Sequence, residues 1–98
     1  EALRIGLVQE ETSNVDAGLE RALELAQQVA RRSPTAVAAF KRGVLASVGM
    51  PSAQRAEIEA RAYEHCVETG EAAIGRTGFK KILGGESVEW GPRVTFKP

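Results

Sequence analysis

Proline and glycine divide this chain into short segments, and each segment carries apolar side chains at helical spacing. The punctuation falls at Ser33-Pro34, Gly49-Met50-Pro51, Gly70 and Gly84-Gly85. Between these points apolar residues recur at three- and four-residue steps, the mark of amphipathic helices. The first helix is predicted from about Val15 to Arg32, with Leu19, Ala22, Leu23, Ala26, Val29 and Ala30 as its stripe. Glu20, Glu24, Gln27, Gln28 and Arg31 lie largely outside it. Ser13 or Asn14 can cap the start, and Asp16 suits the positive end of the helix dipole.

Serine followed by proline is a good helix start, because proline's missing N–H has no intrahelical partner there. A second helix is therefore expected from about Pro34 to Val48, burying Val37, Phe40, Val44, Leu45 and Val48. Ser52 can cap a third, running to about Thr69, with Ala56, Ala60, Tyr63 and Val67 as its buried face, flanked by Ala62 and Cys66. A fourth is expected from about Glu71 to Leu83, with Ile74, Phe79, Ile82 and Leu83 on its apolar side. Gly75 and Gly78 each cost about 1 kcal/mol against alanine within that helix, which points to close backbone contact or to tertiary support.

Outside the helices, residues 1–4 read as a last helical turn broken by Gly6, Leu7 to Glu10 as a very short strand, and Glu11 to Asn14 as linker. The tail from 85 to 98 is expected to be irregular, with Trp90 and Phe96 as anchors. The fold class is thus mainly α, three to four helices in series, and short connections favour antiparallel neighbours. The chain begins at Glu1 without a methionine, and its first residues read as the end of something longer.

Composition narrows the partners. Thirteen Lys and Arg balance thirteen Asp and Glu, so no net field favours nucleic acid or an acidic membrane surface. The longest apolar runs are far too short to span a bilayer. Cys66 is the only cysteine, which leaves no disulfide framework or thiol metal cluster and suits a reducing cytoplasm. Much of the hydrophobic content is alanine, and only five residues are aromatic. Alanine buries little area. A helical set built this way gains by packing on something larger.

No catalytic set is self-contained. His65 is the only histidine, and its neighbour Cys66 would point about 100° away on a helix, so the two cannot form a facing pair. One histidine and one cysteine match no metal-ligand spacing. Gly75-Arg76-Thr77-Gly78 has the composition of a phosphate loop but neither its glycine spacing nor its lysine-hydroxyl ending. Arg76, Lys80 and Lys81 form a small basic cluster suited to a phosphate or to a solvated face. Glu57, Glu59, Glu64 and Glu68 read as a solvated face, since nothing marks an apolar pocket that would tune a carboxylate.

The order of segments resembles the C-terminal part of the enoyl-CoA hydratase/isomerase (crotonase) superfamily. Arg4-Ile5-Gly6-Leu7-Val8 is similar to the Gly-Leu-Val segment that follows the family's spiral core. Leu19, Ala22, Leu25-Ala26 and Val29-Ala30 fit its following helix, with small offsets. Ser33-Pro34, Ala36-Val37 and Lys41 fit its Ser-Pro-x-Ala-x-x-x-x-Lys segment. Glu59 with Tyr63, and Gly75 with Phe79, resemble two later pairs.

The resemblance implies a helical trimerisation region, 15–84, preceded at 1–14 by the end of a spiral core. That core would bind acyl-CoA thioesters and stabilise an enolate with two backbone N–H groups. The acid–base residues would lie upstream of the matched region, so none maps onto this chain. The helices would complete the CoA pocket and build trimers or hexamers, with the N-terminal core as partner. No cofactor is implied beyond the coenzyme A thioester substrate. Tyr63 is implied near the CoA adenine, and Lys80 and Lys81 near its phosphates. Here the chain departs from the family: Ile82-Leu83 stand where a Lys-Arg pair is common, the two lysines come two positions earlier, and Ile74 replaces an acidic residue. The simplest activity implied is enoyl-CoA hydration, for which this stretch alone lacks the chemistry. A non-catalytic helical assembly module is the alternative.

Overall fold

The computed structural model describes residues 1–98. Five helices follow one another: α1 (Val15–Ala30), α2 (Pro34–Ala46), α3 (Ser52–Glu68), α4 (Glu71–Thr77) and α5 (Phe79–Leu83). The chain is mainly α, and no helix is long and apolar enough to cross a membrane. The first two helix starts follow the expected chemistry, whereas Ser52 is the first residue of α3 rather than its cap: Pro51 holds the cap position, and no side chain bonds there. The Asn14 side chain accepts from the Ala17 N–H at 2.9 Å, and Ser33 Oγ accepts from the Ala36 N–H at 3.0 Å with Pro34 in the first turn.

Two expectations for the ends of elements are corrected. Residues 7–10 form no strand. A strand needs a neighbour to satisfy its backbone, and none exists here. The segment instead closes a turn, with the Leu7 N–H bonded to the Ala2 carbonyl at 2.9 Å and Gly6 at φ +77°. Arg21 then ties the following segment to α1 through Glu10, at 2.7 and 2.9 Å. The fourth predicted helix is divided at Gly78 into α4 and α5.

The larger correction concerns which faces are buried. α2 and α3 form the main helix pair, and they meet through small residues. Thr35, Ala39 and Gly43 are buried on α2, and Ile58, Ala62 and Cys66 on α3. The expected α2 stripe of Val37, Phe40, Val44, Leu45 and Val48 is exposed. On α3, Tyr63 and Val67 are likewise 55% and 46% exposed, and Ala56 and Ala60 are exposed too. Small side chains let the two backbones approach closely, and the gap between the helices is then filled by Phe96 from the tail. Ala39, Ala62, Cys66 and Phe96 form the core cluster, with Ala36 packed against it.

α1 buries no residue, and Leu19, Leu23 and Val29 are each more than half exposed. Only ten of the 98 residues are buried at all, so the chain presents two apolar helix faces without an internal partner.

The tail is irregular, as expected, and it is also bound. Residues 86–98 cross the molecule in extended form. Trp90 Nε1 donates to the Arg31 carbonyl at 2.8 Å, the Val94 N–H to Thr35 Oγ1 at 2.9 Å, and His65 Nε2 to the Val94 carbonyl at 3.1 Å. This path explains one of the two glycines. A Cβ on Gly78 would stand 2.4 Å from Val88 Cγ1, whereas one on Gly75 would make only ordinary contact, at 3.6 Å, with the Trp90 ring.

These distances separate two outwardly similar substitutions. Gly78→Ala forces the Val88 segment aside and is expected to destabilise by about 1–3 kcal/mol. Gly43→Ala meets Ile58 Cγ2 at 3.4 Å and Ala62 Cβ at 3.8 Å, an ordinary contact. There the helix propensity gain of about 1 kcal/mol dominates, and the variant is expected to be neutral or more stable. Urea denaturation of the pair checks this; equal effects would contradict it.

Candidate functional site

The sequence singled out Tyr63, Lys80 and Lys81, and the structure separates them. Tyr63 lies on an open groove of about 630 Å³ with Ala72, Gly75, Arg76, Phe79 and Ile82. Lys81 lies on a second groove of about 640 Å³, between α4 and the tail, with Ile74, Thr77, Gly78, Ser87 and Val88. Lys80 is exposed and lines neither. The residue that accompanies Tyr63 is Arg76, one turn earlier than the lysines.

The Tyr63 groove follows from local structure. Gly70, at φ +81°, turns the chain between α3 and α4 so that α4 folds back beside the end of α3. Tyr63 thereby meets the face of α4 that carries Ala72, Gly75 and Arg76, and α5 adds Phe79 and Ile82. Tyr63 and Phe79 present ring surface, 55% and 57% exposed. Arg76 forms no ion pair. A planar ring could stack between these apolar surfaces, with Arg76 placed for an anionic substituent.

No acid–base or nucleophilic set joins this groove. Glu57, Glu59, Glu64 and Glu68 are all exposed. Burial, and secondarily the negative charge of Glu71, push the Cys66 thiol up, so it is held as a thiol. His65 is half-buried and packs against Phe96, the two rings tilted by 45° with centroids 5.5 Å apart. It serves the tail rather than Cys66. No three His, Cys, Asp or Glu side chains gather where they could hold a metal ion.

Sequence reasoning missed the most constrained polar group. Glu71 is 3% exposed at the start of α4. Its carboxylate accepts from the Ser33 hydroxyl and from the Gly91 N–H, the latter at 2.8 Å. It thereby joins the starts of α2 and α4 to the tail. Only the acidic residue after Gly70 hinted at it, as carboxylates are favoured in a first helical turn. Its partners lie 38 and 20 residues away, beyond any local pattern.

Comparison with protein-family models, with curated proteins and with solved structures finds no match to this chain.

Proposed function

We propose that this chain is the C-terminal helical part of a crotonase-superfamily enzyme acting on acyl-CoA thioesters, most simply by enoyl-CoA hydration in the cytoplasm. Its role is to close the CoA pocket and to form a trimer or hexamer. The ordered motif set from Gly6-Leu7-Val8 to Gly75 and Phe79 carries the reading. The exposed apolar side chains of Leu19 and Leu23 on α1 and of Phe40, Val44 and Leu45 on α2 support it, since they suit a piece that packs on an N-terminal core and on other subunits. The Tyr63–Arg76–Phe79 groove suits an adenine with its phosphates, with Arg76 rather than Lys80 or Lys81 as the cation beside it.

The isolated 98 residues are expected to bind acyl-CoA weakly and to hydrate crotonyl-CoA no faster than buffer. Spectrophotometric loss of the enoyl thioester checks this. Turnover by the isolated chain would overturn the reading. The exposed apolar faces also favour the second reading, an assembly module without catalysis. Sedimentation separates them: a discrete soluble homo-oligomer indifferent to CoA favours the module. Aggregation relieved by an upstream crotonase core favours the enzyme part.

A further inference from the structure

A third groove, of about 350 Å³, has a different character from the two beside α4. Three elements meet there: the end of α1 with Val29 and Arg32, the α2 face with Pro34, Val37 and Lys41, and the tail with Arg93. The α2 residues fall at spacings of three, four and seven, so one helix face supplies them. Three cations line the groove and no carboxylate does. None of the three forms an ion pair.

The cations are held from behind. The tail on either side of Arg93 is bonded to the protein: the Gly91 N–H to Glu71 at 2.8 Å, and the Val94 N–H to Thr35 Oγ1 at 2.9 Å. Arg32 sits in the turn closed by its own N–H to the Val29 carbonyl at 3.0 Å, next to the Ser33 cap. Glu71, the nearest buried carboxylate behind this turn, already accepts from Ser33 and Gly91. Three cations on one groove without a carboxylate give it a positive potential that favours an anion.

We infer that the Arg32–Lys41–Arg93 groove binds a small soluble phosphate monoester whose organic part is apolar, independently of the acyl-CoA reading above. The phosphoryl dianion meets the two guanidinium groups and the ammonium, for which forked and point donors are both suited. The apolar part lies over Val29, Pro34 and Val37. The groove is concave and of small-molecule size, as pockets for such ligands are; a lipid surface would ask for a projecting face.

The test uses the full chain, titrated with inorganic phosphate and with hexyl phosphate, followed by amide and side-chain NMR shifts. Saturable shifts at Arg32, Val37 and Arg93 are expected, with hexyl phosphate binding about tenfold tighter through its buried methylenes. Arg32→Ala, Arg93→Ala and Lys41→Glu each weaken binding by about tenfold or more, the worth of one charge-assisted hydrogen bond. Arg55→Ala leaves it unchanged. All four side chains are exposed, and an unaltered helical circular dichroism spectrum confirms that each variant folds. Shifts that never saturate, equal binding of the two phosphates, or equal loss in Arg55→Ala would overturn the inference. Binding to phosphatidic acid vesicles without binding to hexyl phosphate would also overturn it, assigning the cations to a lipid surface.

Discussion

Phe96→Ala is expected to release the C-terminal tail and to cost about 3–5 kcal/mol, a large share of the stability of a domain this small. Phe96 is the one aromatic side chain that is buried, and it fills the gap that Ala39, Ala62 and Cys66 leave between α2 and α3. None of those three can expand to replace it. His65 would lose the ring it packs against, and its bond to the Val94 carbonyl would be left to a loose segment. Cys66 provides an internal reporter, because it is 4% exposed beneath the ring. The variant is expected to show a much lower urea midpoint and rapid labelling of Cys66 by a thiol reagent. Phe96→Leu keeps most of the volume and is expected to cost only about 1 kcal/mol. Unchanged labelling in Phe96→Ala would mean that the tail is not what covers the thiol.

Glu71→Ala is expected to cost about 2–4 kcal/mol, because a buried donor loses its acceptor at about 1–3 kcal/mol and a part-buried one at about 1 kcal/mol. Those donors are the Ser33 hydroxyl and the Gly91 N–H. Glu71→Gln should fall between wild type and alanine. Its amide oxygen can still accept from Gly91, but its NH₂ group then faces Ser33 Oγ. That oxygen already accepts from the Ala36 N–H, and its own proton would lose its partner. Loss of the Glu71 contact also frees the tail at Gly91, next to Trp90. Faster amide exchange at Gly91 and a red shift of Trp90 emission are therefore expected alongside the lost stability. An order with Gln worse than Ala would refute this account, since it would make the residual amide a greater burden than two orphaned donors.

The two variants probe the same design from opposite ends. The helix pair has a core made mostly of alanine and cysteine, which gains little by burial alone. The tail supplies the missing apolar volume through Phe96 and the missing polar closure through Glu71, Thr35 and the Arg31 carbonyl. The large apolar residues of α1 and α2 play no part in this. They remain on the outside, at Leu19, Leu23, Phe40, Val44 and Leu45.

The candidate site was partly legible. Tyr63, Gly75 and Phe79, singled out only by a resemblance, line one groove. Lys80 and Lys81 were joined to Tyr63 by that resemblance alone. Helical rotation sends them elsewhere and puts Arg76 in their place. The Arg32–Lys41–Arg93 cluster had no sequence signature, because its members come from three elements and Arg93 lies 52 positions beyond Lys41.

By itself the sequence determined the helices: the Asn14 and Ser33 caps, the Pro34 start, and the stops at Gly70 and Gly84 all act within a few residues of themselves. At Gly75 and Gly78 it left close contact and tertiary support both open. Only the tertiary structure decided that the tail closes on Gly78, that Ala39 and Ala62 rather than Phe40 and Tyr63 face inward, and that Glu71 is buried. Periodicity reports that a helix has an apolar side, but not which side finds a partner. In this chain the most apolar sides found none, because the short link at Gly49-Met50-Pro51 and the insertion of Phe96 set α2 and α3 together through their smallest residues.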